Sequence, residues 1–450
     1  MSRENDLMEK IVSLAKRRGF IFPTAEKYGG LGGFWDWGPL GVELKNNIKR
    51  EWWKRFVQER RDVVGLDSAI VTNPEVWKKS GHIGGFADKL VECKYCHHRF
   101  KQEDIKESNQ CPDCGKSVFE PARDFNLMFK TFVGPVEAST SVAYLRPETA
   151  QNIYVNFETI AQTSRLKVPF GIAQIGKAFR NEITPGNFVF RTREFEQMEL
   201  EYFVNPKEDD RWFSYWVKET IKWFLDLGIK KENLREHEQA KDELAHYAKA
   251  TVDVEYNWPF STKGVSTSEE RGWAELMGVA NRTDFDLKAH GLKYKDESGE
   301  FVPYVIEPSF GVERSALAFL LDAYDEVKGG RTTTTESNKE KEVVLHLHKS
   351  LAPIKVAVLP LSKKTDLAKV ANDLYEAIRK NFISAYDDVA SIGRRYRRQD
   401  EIGTPYCVTV DFESLNDKKV TVRDRDTMEQ ERVPMAELSK YLNHKLNEIL

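Results

Sequence analysis

Two short segments carry the densest chemistry in the chain: Phe179-Arg180-Asn181-Glu182 and Arg191-Thr192-Arg193-Glu194-Phe195, which flank the turn-forming Thr184-Pro185-Gly186-Asn187. Strand alternation puts Arg180 and Glu182 on one face, and Phe195, Gln197 and Glu199 on one face of the next strand. Guanidinium forks suit phosphates, a flat ring suits a heterocycle and a carboxylate suits an exocyclic amine. A nucleoside triphosphate would be held by such a set, although the charges taken alone suit a solvated strand pair better. A second constellation is Cys93-x2-Cys96 and Cys111-x2-Cys114. Four thiolates at this spacing close a tetrahedron around structural zinc and leave no open position. The neighbouring His97 and His98 read as exposed loop residues, and Cys407, inside an apolar strand, as a small core residue.

These residues need elements to position them. Residues 168–181 and 194–204 read as antiparallel strands joined by the turn. A helix is expected over Leu7–Arg18, and a second from Pro39, with Leu40, Leu44, Ile48, Trp52 and Phe56 forming its apolar stripe. Residues 310–325 read as a buried helix, followed by a polar run with two glycines and four threonines. Beyond it, strands and helices alternate over about a hundred residues, the mark of a small α/β domain.

Composition narrows the class. The 450 residues are 40% hydrophobic and 31% charged, which excludes a disordered chain. Lys and Arg total 68 against 71 Asp and Glu, so a nucleic-acid contact must be local. Arg394-Arg395-Tyr396-Arg397-Arg398 is the patch of that kind. No run of eighteen apolar residues could span a membrane, the N-terminus lacks a signal-peptide core and the cysteines suit a reducing compartment, so a cytoplasmic location is expected.

The FRNE segment, its turn and RTREF are similar to motif 2 of the class II aminoacyl-tRNA synthetases, and Gly311-Val312-Glu313-Arg314 resembles motif 3. Pro74, after the helix from Pro39, is similar to motif 1, which builds the dimer interface of that class. FWDWGPLG, RPETAQ, FRNEITPGNF, REFEQMELEYF and EPSFGVER, in this order, resemble the homodimeric glycyl branch over nearly the whole chain. The resemblance implies an α+β fold. An antiparallel-sheet catalytic domain would occupy residues 1–328, with a zinc-ribbon-like insertion at 90–118 and a helical insertion at 205–270. A linker over 329–350 and an α/β anticodon-binding domain over 351–450 would follow. Glycine, ATP with Mg²⁺ and tRNA(Gly) would be its partners, the last reached partly through the arginine patch.

The resemblance also assigns roles. Arg180 would contact the α-phosphate and the glycine carboxylate, Glu182 the adenine amine and Phe195 the ring, while Arg191 and Arg314 would hold the terminal phosphates. Glu275 would assist the nucleotide and its magnesium, which makes Arg180, Glu275 and Arg314 the catalytic set. Asn181, Phe190, Thr192, Arg193, Glu194, Leu276, Gly311, Val312 and Glu313 complete the ATP site. Glu148, Glu307 and Ser309 would form the glycine pocket, with Arg99, Phe195, Glu196, Gln197, Met198, Glu199, Pro308, Phe310 and Gly311 around it. Asn152 stands where the family has glycine, and Glu313 where it has aspartate.

Overall fold

A computed structural model describes residues 3–105, 109–260, 272–297, 299–329, 331 and 341–447. Its centre is a seven-stranded sheet of β1 (Val63–Gly65), β2 (Phe170–Phe179), β3 (Glu194–Val204), β4 (Leu234–Glu238), β5 (Ala250–Asn257), β6 (Trp273–Thr283) and β7 (Tyr304–Gly311). The order is β4-β5-β6-β7-β3-β2-β1, antiparallel throughout except that β1 runs parallel to β2. The β2–β3 register runs from Phe170↔Phe203 to Phe179↔Glu194, so the two arginine-bearing segments emerge together at one end.

One sheet face is apolar and packs on helices α1 (Arg3–Arg18), α2 (Pro39–Trp53), α3 (Asp209–Asp226) and α4 (Val312–Ala323). Pro39 opens α2, where its fixed φ suits the first turn, and Leu44, Ile48 and Trp52 bury the expected stripe. Met198 and Phe310 point into this core, beside Trp52, Phe56 and Trp223. The opposite face carries Gln197, Glu199, Glu201 and Glu307, all buried.

The stretch 205–270, expected as a helical insertion, differs: it supplies α3 and two strands of the main sheet, β4 and β5. The reason is the alternation of Val252, Val254 and Tyr256, a period-two pattern that buries one strand face. Residues 261–271 lie outside the described residues. The cysteine segment is wider than 90–118, being a three-stranded sheet of Ala87–Glu92, Arg99–Lys101 and Arg123–Asn126.

The segment 329–350 includes strand β9 (Lys341–Leu345), which pairs with β8 (Tyr324–Lys328), while Leu345 and Leu347 are buried in the main core. Its described part is therefore packed rather than a solvated tether, and the threonine run lies outside the described residues. The last hundred residues form a five-stranded sheet from β10 (Val356–Pro360), β11 (Ser384–Tyr386), β12 (Tyr406–Val410), β13 (Lys419–Asp424) and β14 (Gln430–Pro434), in the order β11-β10-β12-β13-β14. Helices α5 (Thr365–Ile378), α6 (Ile392–Glu401) and α7 (Leu438–Asn447) accompany it, and Val356, Val358, Leu367, Val408 and Leu442 make its own core. Asn47 of α2 seats this unit, its Nδ2 donating to the carbonyls of Leu351 (3.2 Å) and Ala352 (3.0 Å).

The arginine patch on α6 is not a free basic surface. Arg395 is buried and donates to the Ala390 and Pro360 carbonyls, Arg397 pairs with Glu342 and Arg398 with Asp387. Helical spacing turns most of these side chains toward the protein, and only Arg394 of the four arginines is exposed.

Candidate active site

The end of β2, the starts of β3, β6 and α4 and the end of β7 enclose a cleft of about 400 Å³. Arg180, Glu182, Phe190, Arg191, Thr192, Phe195, Gln197, Glu275, Leu276, Ser309, Phe310, Gly311, Glu313 and Arg314 line it, so most of the expected ATP residues converge. The Arg180 guanidinium lies 5.4 Å from the ring centroids of both Phe86 and Phe195, and its Nε donates to the Pro147 carbonyl at 3.1 Å. These contacts fix a cation over the aromatic floor. At the other end Arg314 sits 4.5 Å over Phe190 and pairs with Glu275 at 3.2 Å. Arg191 forms no side-chain hydrogen bond or ion pair with the described residues and lines the same space. Glu182 has a buried Oε2 without a hydrogen-bond partner, with the Lys101 ammonium 3.8 Å away. An unpaired buried acceptor is costly, so this oxygen is suited to an N–H from a ligand.

Glu313 does not face a ligand with its carboxylate. It accepts from Lys45 Nζ at 2.7 Å and from the Glu196 amide at 2.8 Å, and Glu196 itself pairs with Lys45 at 2.5 Å. Burial opposes a charged Lys45, but Glu313 and Glu196 more than compensate and raise its pKa. The triad ties α2 to β3 and to the start of α4, and with it to Arg314.

Behind Ser309 and Gln197 of the cleft wall lies a cluster of acidic side chains, the acidic pocket. Glu199 accepts from Ser309 Oγ (2.8 Å), Gln197 Nε2 (2.6 Å) and the Thr149 amide (3.0 Å). Glu307 accepts from Arg282 Nη1 at 2.9 Å, and Arg282 also forks onto Asp286 at 2.8 and 3.0 Å. Glu148 is met by His82 Nε2 at 3.3 Å and by Gln151 Nε2 at 3.2 Å. Burial works against the Glu148 charge, but His82, Arg282 and Arg180 outweigh it and hold its pKa below the usual range. Burial raises Glu307 to about 8; Arg282 offsets this in part, and Glu199 and Glu148 add to it. Burial and the Glu148 charge raise Glu199 as well. A pocket with this surplus of carboxyl groups is ready for a small cation.

Several expected residues lie elsewhere. Arg99 is exposed and pairs with Glu92 at 2.9 Å, because the hairpin register sets the two opposite each other away from the cleft. Alternation turns Met198 into the core, and places Pro308 and Phe310 on the face opposite Glu307 and Ser309. Phe310, although core-packed, still reaches the cleft wall. Glu194 and Glu196 line a neighbouring groove and pair with Lys177 and Lys45. Arg193 braces the loops by donating to the Glu182 and Gly32 carbonyls, and Gly33 is required there because a Cβ would come within 2.9 Å of Pro185. The Asn181 amide donates to Leu127 and Val312 is buried in the core. Asn152 bonds Thr72 at 3.4 Å, behind the pocket rather than in it. Sequence reasoning did not single out Lys45, His82, Gln151, Glu201, Arg282 or Asp286. The readable signal was a charged residue embedded in an otherwise apolar strand or helix, as at Arg282 after Gly-Val-Ala-Asn.

The cysteine cluster is assembled. The Sγ atoms of Cys93, Cys96, Cys111 and Cys114 all lie within 4.8 Å of one another, with Cys93–Cys114 at 3.6 Å and Cys96–Cys111 at 3.5 Å. A tetrahedron with metal–sulfur bonds of about 2.3 Å has edges of about 3.8 Å, so the spacing fits one ion. Cys93 and Cys111 are buried, and His97 and His98 stay exposed.

Comparison with known proteins agrees with this architecture. Residues 136–324 match the model described as tRNA synthetase class II core domain (G, H, P, S and T), and residues 355–445 match the anticodon binding domain. The glycine–tRNA ligase of Alkaliphilus oremlandii is 54% identical across 98% of both chains. Those of Thermobifida fusca and Caldanaerobacter subterraneus subsp. tengcongensis are 50% and 53% identical, across 99% and 98% of both chains. Identity at this level along the whole length, with the motif strands and helix assembled around one cleft, places the chain in the glycine–tRNA ligase family of class II aminoacyl-tRNA synthetases.

Proposed function

We propose that the cleft binds ATP and the acidic pocket beside it glycine, and that the chain forms glycyl-adenylate and then esterifies the 3′-terminal ribose of tRNA(Gly). The observation that carries this reading is the position of Arg180, which lines the nucleotide-sized cleft and is close enough to Glu148 and Glu199 to act on their charge. Glycine offers only an ammonium and a carboxylate. Glu148, Glu199 and Glu307 receive the first, and Arg180 the second.

A glycine carboxylate oxygen then attacks the α-phosphorus while the bond to the β-phosphate breaks and pyrophosphate leaves. Arg180 stabilises charge at the α-phosphate, and Arg191 and Arg314 hold the leaving phosphates. Phe195 carries the adenine ring, and the unpartnered Glu182 oxygen accepts its amine. In the second step the ribose hydroxyl attacks the acyl carbon and AMP departs. No side chain forms a covalent bond, so catalysis is positioning and charge stabilisation. Glu275, exposed at the phosphate end beside Arg314, would hold Mg²⁺, which neutralises phosphate charge when bound.

The four cysteines hold structural zinc in this reading, and Val71 and Phe132, exposed on one small sheet, belong to the surface that joins two copies into a homodimer. Cytoplasmic action is the matching location; no helix among the described residues is long and apolar enough to cross a membrane. The test is pyrophosphate exchange into ATP. Glycine should support it, alanine and serine should not, and Arg180→Ala should lower it about 10²- to 10³-fold in a folded protein. Near-normal exchange by that variant would refute the assignment. Metal analysis of protein purified without chelator should find about one zinc per chain, lost in Cys93→Ser.

A further inference from the structure

Glu201 has no part in the chemistry above, yet it is 0% exposed. Its Oε2 accepts from the Tyr154 hydroxyl at 2.6 Å, and its Oε1 is buried without a hydrogen-bond partner. The pairings Glu199↔Ser309 and Tyr202↔Ile306 bracket it and set it across from Glu307 on the adjacent strand β7. Side chains so placed start about 5 Å apart at Cβ, close enough for two carboxyl groups to meet. Arg282 directs its fork to Glu307 and Asp286 and leaves Oε1 of Glu201 without a hydrogen bond. The charged and titratable groups around Glu201 are Glu199 on its own strand, Glu307 on the adjacent β7, Arg282 on β6 beyond it and Tyr154 on the helix Ala150–Tyr154; its partner on β2 is the apolar Ile172. Burial, and next the charge of Glu307, push the Glu201 carboxyl well above its ordinary range. An ionised Glu201 would face another anion with a single donor, whereas a protonated one turns its orphan oxygen into a donor that needs an acceptor.

We propose that Glu201 is a positioning residue of the glycine pocket, carrying a proton at neutral pH and directing its O–H to Glu307, so that when the amino-acid ammonium enters and Glu307 gives up its own proton the facing pair presents one negative charge. This rests on the glycine reading of the pocket. The donated hydrogen bond fixes the Glu307 carboxylate from behind while Arg282 fixes it from the side. Two ionised groups would repel, and an apolar residue at position 201 would leave Glu307 without its rear support.

Glu201→Gln keeps a donor and an acceptor in nearly the same volume; Glu201→Leu removes both. In glycine-dependent pyrophosphate exchange, E201L should raise the glycine KM about 10-fold or more while kcat and the ATP KM stay within about 3-fold, and E201Q should restore the glycine KM to within about 3-fold of wild type. Infrared difference spectra of the ligand-free protein at pH 7, wild type against E201Q, should show a protonated-carboxyl band that E201Q lacks. A glycine KM unchanged in E201L, an E201Q variant as impaired as E201L, or no protonated carboxyl would each overturn the proposal. If E201L fails to fold, the infrared comparison decides. If the wild type exchanges no pyrophosphate with glycine, the substrate reading fails, and the infrared result still reports on the pair.

Discussion

Glu307 carries a testable pH dependence because burial lifts its pKa to about 8. A carboxyl whose folded pKa lies above its unfolded value stabilises the protein below the unfolded pKa, and that contribution fades as pH rises through about 8. The ionised form is also the one that receives an ammonium. Raising pH from 6.5 to 8 should therefore lower the glycine KM and enlarge the glycine-induced rise in Tm; calorimetry and exchange kinetics at the two pH values check both. A KM indifferent to pH across this window would show that Glu307 is already ionised in the empty pocket. At this scale the sequence revealed residue types better than their neighbours. Phe195 follows from alternation, which also excludes Met198 and Pro308 from the pocket face, whereas Arg180 and Glu182 lie past the end of β2 in a tight turn that alternation does not describe. The Arg282–Asp286 pair and its link through Gln151 to Glu148 join chain positions more than a hundred residues apart. Nothing local announces such a network, because its logic is mutual neutralisation in a shared buried space.

At the scale of elements, helix α2 shows how positioning depends on a few buried charges. Lys45 stands between Glu196 and Glu313, and the Trp37 ring lies 4.7 Å from its ammonium. Lys45→Met would leave Glu313 buried beside Glu196 without its cation. Breaking a buried pair from one side costs about 3 to 5 kcal/mol, so denaturant unfolding should show a loss of that order. Adding Glu313→Gln should recover part of it, since the neutral amide removes the stranded charge. Equal stability of Lys45→Met and wild type would show that the triad contributes nothing net. The strands and helices around this triad were legible because their periods are clean: β2 and β3 begin and end within a few residues of the alternating runs, and α2 follows its four-residue stripe. Over 205–270 the long helix α3 dominates the pattern, and the short alternation of Val252, Val254 and Tyr256 that forms β5 is easily lost beside it. The pairing of the α6 arginines was not legible, because composition records charge but not whether a nearby carbonyl or carboxylate has already claimed it.

For the whole molecule, the boundary between the two units decides how the chain can be divided. Leu345, Leu347 and Leu351 are buried with the catalytic core, and β9 completes the pair begun by β8. Ending the chain after residue 340 removes that strand and exposes the core, so this truncation should be insoluble or unstable. Ending it after Ala352 keeps the buried leucines and both carbonyls bound by Asn47. The longer fragment should remain soluble and retain glycine-dependent exchange while charging of tRNA falls sharply. Equal loss of both activities in the soluble fragment would refute the division of labour. Asn47 has a further consequence. It grips the C-terminal unit by two backbone oxygens, and every residue type, proline included, supplies such an oxygen. The grip itself reads only backbone, but both side chains are fully buried and Leu351 belongs to the main core, so a relative's segment exchanged in here keeps its hold only if it brings an apolar residue at 351 and a small one at 352.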